Sequence, residues 1–173
     1  MSKQVLGKIY RLVQEGINVP NFRGDTALML AARFGYPDVV QALIEGGADV
    51  NARNTRGETA LFLTAVHGYS DVAVALIDSG ANVNARNESG ETALHRAATH
   101  GHVDLARVLI DRGADVNARD GDGQTALFWA VRKGHQHVAE LLQPVEVPPC
   151  TKEYLVRFIR ERSAARAATP RPA

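Results

Sequence analysis

The chain has 173 residues, and its 20 basic and 19 acidic side chains leave a formal net charge of +1. Hydrophobic residues account for 45% of it, as is ordinary for a soluble protein, and no apolar run approaches the ~18 residues that a membrane-spanning helix requires. The polar N-terminus has lysines where a secretory signal needs an unbroken apolar segment, and the single cysteine, Cys150, excludes an intramolecular disulfide. We therefore expect a cytoplasmic protein without a signal peptide or a transmembrane segment.

The charge is distributed unevenly along the chain. Residues 151–173 hold six basic and two acidic side chains, a local net charge of +4, so that the preceding residues together carry −3. A domain of that charge offers no overall positive field to nucleic acid, and only the basic tail favours such a partner. The charge pattern thus argues against a nucleic-acid partner for most of the chain.

The first predicted element is a helix over residues 3–15. Apolar side chains fall on one helical stripe there, namely Val5, Leu6, Ile9, Leu12 and Val13. Gly16 ends the helix, and the sequence Gly16-Ile17-Asn18-Val19 is similar to Gly47-Ala48-Asp49-Val50 further along. We interpret residues 1–20 as a capping half-unit, in which the helix takes the place of a second helix and covers the end of the units that follow.

A pentapeptide of the form Gly-x-Thr-Ala-Leu recurs at a spacing of 33 residues. Its four copies are Gly24–Leu28, Gly57–Leu61, Gly90–Leu94 and Gly123–Leu127. A fixed period of this length indicates a stack of like units, each of which is stabilised by its neighbours. The predicted units are residues 21–53, 54–86, 87–119 and 120–143.

Each unit carries the signals of two helices and a projecting loop. Thr59 is placed to cap the first helix with its hydroxyl, and Gly68 ends that helix in a left-handed conformation. Asp71 lies in the first turn of the second helix, where it is favourable against the helix dipole, and Gly80 ends it. The following link is rich in turn residues, among which Asn84 is placed to hydrogen-bond the backbone of the adjacent unit.

This unit resembles the ankyrin repeat, and the closest match lies within residues 90–118. The residues that carry the likeness are His95, Gly101-His102 and Gly113-Ala114-Asp115-Val116-Asn117-Ala118. The departures are alanine where the family often has proline (Ala27, Ala60, Ala93, Ala126) and Met29, Phe62 and Phe128 where it often has histidine. The resemblance covers residues 1–143 and implies an all-α solenoid of stacked helix-turn-helix units with projecting loops.

Two segments are predicted after the last unit. Residues 144–150 are rich in proline and form a spacer, and residues 151–167 form a C-terminal helix that Thr151 caps, before a disordered tail at 168–173. The helix has an apolar edge made of Tyr154, Leu155, Phe158 and Ile159. Two interpretations remain open, since this edge suits either a cap on the last unit or a docking site for a second partner.

The sequence gives no constellation for catalysis, a metal or a cofactor. The pairs His100–His102 and His135–His137 have no cysteine or paired carboxylate nearby in sequence to complete a set of metal ligands. Recurring threonines and aspartates are accounted for by helix capping, and the glycines recur at helix ends without clustering into a phosphate-binding loop. We expect no enzymatic activity.

The resemblance implies that the chain binds a protein partner, as a monomer, through the concave face of the stack. The two residues before the mid-unit glycine are left free by the packing pattern and differ in every unit, and together with the loop tips they line the concave face in ankyrin-like stacks. The candidate binding residues are Phe22, Arg23, Arg33, Phe34, Thr55, Arg56, Val66, His67, Glu88, Ser89, Thr99, His100, Asp122, Trp129, Arg132 and Lys133. Phe34 is the leading candidate and Trp129 the second, although Trp129 is equally compatible with packing inside its unit. An alternative function is a regulatory inhibitor or adaptor of an enzyme that uses the basic C-terminal helix as a second docking site.

Charged residues also recur at fixed positions of the loops. Basic residues occupy one position (Arg53, Arg86, Arg119) and acidic or amide residues another (Asp25, Glu58, Glu91, Gln124). These two sets either pair with each other across the loops or form an electrostatic rim that orients a partner.

Overall fold

The computed structural model describes residues 3–143, and within that range the chain forms nine α-helices. Their bounds are α1 Lys3–Glu15, α2 Ala27–Arg33, α3 Pro37–Glu45, α4 Ala60–His67, α5 Ser70–Asp78, α6 Ala93–His100, α7 Val103–Asp111, α8 Ala126–Lys133 and α9 Gln136–Leu142. The all-α prediction is confirmed. No helix in this range is long and apolar enough to cross a membrane. The predicted spacer, C-terminal helix and tail at 144–173 lie outside the described residues.

The helices from α2 onward form four pairs, each with a first helix that is capped by a threonine as predicted. Thr26, Thr59 and Thr125 each accept a hydrogen bond from the backbone N–H three residues later, at 3.3 Å. Thr92 instead shares a capping box with His95, whose Nδ1 lies 3.2 Å from the Thr92 backbone N. His95 therefore has a structural role at the start of its own helix.

A glycine follows the first helix of each pair, and in the first three units it allows a close approach to the next unit. Gly68 has φ +81°, and a Cβ atom added there would lie 2.6 Å from Nδ1 of His102. The His102 ring also lies within hydrogen-bonding distance of the Val66 carbonyl, with 3.2 Å between Nε2 and O. Glycine is thus required at position 68 by both its backbone conformation and its neighbour.

Asparagine side chains connect the N-terminal segment and the first three units in series. Nδ2 of Asn84 donates to the Gly113 carbonyl at 3.1 Å, and its Oδ1 accepts from the Asp115 backbone N–H at 2.8 Å. Asn51 and Asn18 make equivalent pairs of bonds one and two units earlier. These contacts confirm the predicted role of Asn84. The first helices of neighbouring units also contact each other more extensively than the second helices do.

The N-terminal helix α1 packs mainly against the first helix α2. Asn18, in the loop that follows α1, makes the bonds that Asn51 makes after the second helix α3. Ile9 and Leu12 are buried against the core, whereas Val13 is 38% exposed. Val13 lies about 100° around the helix from Leu12, so it falls at the edge of the stripe and reaches solvent.

Candidate partner-binding face

The loop tips are held by backbone hydrogen bonds from one unit to the next. The N–H groups of Thr55, Glu88 and Gly121 donate to the preceding tip, at 3.1, 3.0 and 2.8 Å respectively. Each tip is also folded on itself, as at Asn54, whose Oδ1 accepts from the backbone N–H groups of Arg56 and Glu58. The side chains at the tips are therefore carried by a fixed backbone.

The tip side chains differ in exposure and chemistry. Phe22 is 89% exposed, and the Arg23 guanidinium lies over its ring at 5.5 Å. Thr55 uses its hydroxyl within the stack, where it donates to the Arg23 carbonyl at 2.9 Å, and Arg56 pairs with Glu58 at 2.8 Å. The remaining predicted tip residues, Glu88, Ser89 and Asp122, are exposed.

Two residues precede the mid-unit glycine in each unit. The first of the two is more constrained than the sequence suggested. Arg33 forms an ion pair with Asp25 at 3.2 Å and is only partly exposed. Val66 is half-buried, and the half-buried Thr99 donates from its hydroxyl to the His95 carbonyl at 2.8 Å. The expectation that packing leaves these positions free is wrong for Arg33, Val66 and Thr99, because each contacts its own unit or its neighbour.

The residue directly before the mid-unit glycine is exposed in all four units and forms a row along the stack. Its members are Phe34, His67, His100 and Lys133. The rings of the first three stack on the ring two residues later, with centroids 6.5, 5.9 and 5.8 Å apart. This contact orients each aromatic ring but leaves one side of it in solvent, as the 43% exposure of Phe34 shows. We call these four residues the helix-end row.

His67 is the member of the helix-end row whose protonation its surroundings change. Burial lowers the pKa of His67 below its ordinary value, and the neighbouring Arg33, His100 and His102 lower it further by repelling a second positive charge. His67 therefore presents a neutral imidazole at pH 7. Lys133 supplies a positive charge at the far end of the row.

Trp129 is partly packed inside its own unit. Its Nε1 donates to Oδ2 of Asp120 at 2.7 Å, and Phe128 meets it edge-on at a centroid distance of 5.6 Å. Burial raises the pKa of Asp120, but hydrogen bonds from Trp129 and from backbone amides outweigh burial and hold the pKa below its ordinary value. The exposed Arg132 lies over the Trp129 ring at 5.3 Å. Of the two alternatives for Trp129, the structure thus favours packing, with one ring face covered by a cation.

In the part of the chain that the structure describes, the two sets of recurring loop charges do not pair with each other across the loops. Asp25 and Glu58 are 1% and 8% exposed, so they lie behind the surface. The arginine ladder binds backbone carbonyls instead of these acids: Arg86 and Arg119 each donate to the glycine carbonyl four residues later, at 3.0 and 2.8 Å. The glycine carbonyls are near these two guanidinium groups because each loop folds back on itself over four residues, whereas Arg53 donates to the Arg86 carbonyl one unit further on.

A family model for ankyrin repeats, in three copies, matches residues 5–87, 28–120 and 80–150. The chain belongs to the ankyrin repeat family. No curated protein matches it. Ankyrin repeats generally act as protein–protein interaction modules and are typically non-catalytic. Among residues 3–143, no cluster of three or more His, Cys, Asp or Glu side chains is placed to hold a metal ion.

Sequence reasoning named Trp129 but missed the other occupants of a second position of the ankyrin unit that faces the loops. It lies one helical turn before the helix-end row and is occupied by Leu30, Leu63, Arg96 and Trp129. Arg96 shows its role, since it pairs with Glu91 at 2.6 Å and lies over the Phe62 ring at 5.5 Å. The signal was present in the sequence, because residues four apart on a helix share a face.

Proposed function

We propose that this ankyrin domain binds a protein partner through the loop tips and the helix-end row, which would form the concave face of the stack. One observation supports this above the others: the exposed side chains change along the stack, from Phe34 through two histidines to Lys133 in the helix-end row, while the backbone of the loop tips is fixed by bonds between units. A fixed backbone lowers the entropy lost on binding, and the varied side chains supply specificity.

The chemistry of the row supports a protein partner in particular. Phe34 and the two imidazoles offer flat, partly desolvated surfaces, and Phe22 adds an almost fully exposed ring at the first loop tip. Aromatic side chains of this kind dominate the energetics of protein interfaces. An exposed aromatic such as Phe22 contributes little to the fold, so its presence is better explained by binding.

The test is a quadruple variant of the helix-end row, in which Phe34, His67, His100 and Lys133 are replaced by alanine. Once a partner has been captured, its affinity for the variant should fall by about 2 kcal/mol or more, which is roughly 30-fold. The helices should persist, because alanine is the best helix former and these side chains lie outside the buried core.

The matched control is a triple variant in which Gln41, Arg107 and Glu140 are replaced by alanine. These three residues occupy one equivalent position on the second helices. These side chains are exposed on α3, α7 and α9, and their removal should leave partner affinity unchanged. Equal binding by the quadruple variant and the wild type would contradict the proposal, and circular dichroism of both variants checks that they fold.

A second candidate function is an adaptor or regulatory inhibitor that docks a further protein through residues 151–173. The observation that favours it is the net charge of +4 on that segment, next to a domain that carries −3. An acidic second partner would be retained on the full chain in low salt and lost from a chain that ends at residue 150. Equal retention by both chains would contradict this second function.

A further inference from the structure

An open groove of about 680 Å³ lies between α1 and the first ankyrin unit. Leu12 and Leu30, which are 7% and 6% exposed, contribute buried apolar surface, and Phe22 and Phe34 line it with partly exposed rings. The volume falls within the ~300–1,000 Å³ of ordinary binding pockets, so it accommodates a few side chains of a partner.

Positive charge surrounds this apolar surface. Lys3, Lys8, Arg11 and Arg23 line the groove, and none of them forms an ion pair with a carboxylate in the part of the chain that the structure describes. The Arg23 guanidinium lies over the Phe22 ring, which leaves its N–H groups available to a ligand.

The groove has one acidic lining residue among those described, and that residue is already neutralised. Asp25 is 1% exposed, lies 3.2 Å from Arg33 and accepts a hydrogen bond from Asn54 at 2.9 Å. Its charge is therefore compensated below the surface and does not offset the exposed cations. A ligand that approaches the groove meets a net positive field.

We propose that this groove binds an extended acidic segment of a partner protein, with an apolar side chain of that segment seated between Phe22, Phe34 and Leu30. The proposal rests on the proposed function and adds the chemistry of the partner and its place at the N-terminal end of the stack. Carboxylates on either side of the apolar anchor pair with Lys8 and Arg11 on α1 and with Arg23 on the loop. The chain's own residues 151–173 are excluded as the occupant by their net charge of +4.

The probe for this proposal is a short fluorescein-labelled peptide in which acidic residues flank a central Leu-Phe pair. Its fluorescence anisotropy should rise saturably with added full-length protein, and the affinity should fall as salt is raised. A peptide with lysines in place of the acidic residues, and an acidic peptide without the Leu-Phe pair, should each bind at least about tenfold more weakly.

Variants of the protein test whether the peptide binds in the groove. The double change Lys8→Ala/Arg11→Ala should weaken binding at least about tenfold, whereas Arg107→Ala, which removes an exposed cation from α7, should have no effect. Phe22→Ala should also weaken binding, and its matched control is Tyr10→Ala, which removes an exposed ring of α1 that does not line the groove. The charge-reversed Lys8→Glu/Arg11→Glu protein should gain affinity for the lysine peptide, which a merely unfolded α1 would not do.

Three outcomes would overturn the proposal. They are the absence of saturable binding, equal binding by the wild type and the Lys8/Arg11 variants, and equally effective competition by single-stranded nucleic acid, which would indicate a general anion site. None of them decides the proposed function, since the quadruple variant tests that with a captured partner and includes His67, His100 and Lys133, which lie outside the groove. A partner that responds to the quadruple change but not to Lys8→Ala/Arg11→Ala would contradict the acidic-segment proposal alone.

Discussion

Replacing Asn54 by alanine should destabilise the domain more than replacing any other asparagine or glutamine of the loops. Asn54 is 8% exposed, and its Nδ2 lies 2.9 Å from both Oδ1 of Asp25 and Oε2 of Glu58. Its Oδ1 also accepts from two backbone amides of its own loop. The side chain therefore satisfies a carboxylate in each of two consecutive units as well as the turn between them.

The cost follows from these contacts. A hydrogen bond to a charged group contributes about 1.5–3 kcal/mol, and two are lost, although Arg33 and Arg56 still compensate the carboxylates in part. We expect a loss of about 3 kcal/mol, which for a domain of this size lowers the melting temperature by roughly 6–12 °C. The equivalent change Asn87→Ala should cost about half as much, because Asn87 donates to one half-buried carboxylate only.

Thermal and urea unfolding followed by circular dichroism measure both variants. A loss below about 1 kcal/mol for Asn54→Ala, or equal losses for the two variants, would refute the account of this buried network. A third variant, Asn54→Asp, adds a carboxylate beside two others. Repulsion raises the pKa of the new carboxyl, so this variant should be the least stable of the three at neutral pH. As the pH falls below about 5 the group becomes a neutral donor, and the free energy of unfolding of this variant should rise relative to that of Asn54→Ala.

Three further predictions concern single features of the domain. Gly101→Ala should cost at least about 2 kcal/mol and clearly more than Gly113→Ala, since both have positive φ but only at Gly101 would a Cβ atom meet the ring of the next unit's histidine, 2.5 Å away. Asp120→Asn should destabilise the domain at pH 7, where the lowered pKa of the carboxyl stabilises the fold and Trp129 donates to it, and the difference should shrink as the pH falls below about 4. Deleting residues 150–173 should lower the melting temperature if the predicted C-terminal helix caps the last unit, and unchanged melting would favour a separate docking helix.

The stack was predictable from the sequence because its signals are local and repeated. Thr59 caps a helix through its own neighbours, and Gly68 must adopt positive φ wherever the helix turns back. Each signal recurs every 33 residues, so the period confirms it several times. Positions that obey the period in this way need no knowledge of distant contacts.

Much of the candidate face was not predictable, because its side chains do not recur from one unit to the next. Arg33 occupies a position that was expected to be free, yet it reaches Asp25, a contact that no spacing rule distinguishes from a solvent-exposed arginine. The groove at α1 depends on which helix α1 contacts, and an apolar stripe tells only that one side is buried. By contrast, one difference between units could be explained from the sequence. Asn54 of the second unit is replaced by Asp120 in the fourth, where Gln124 takes the place of the acid Glu58, so a side-chain N–H donor to that acid is no longer needed.

The most direct test of the central claim is hydroxyl-radical footprinting of the domain with and without its captured partner. Aromatic and imidazole side chains report their own exposure in this measurement, and the chain carries reporters on both sides of the stack. We predict protection of Phe22, Phe34, His67 and His100 in the complex, with His137, which is exposed on α9, unchanged. Protection of His137 without protection of Phe34 and His67 would contradict binding through the loop tips and the helix-end row.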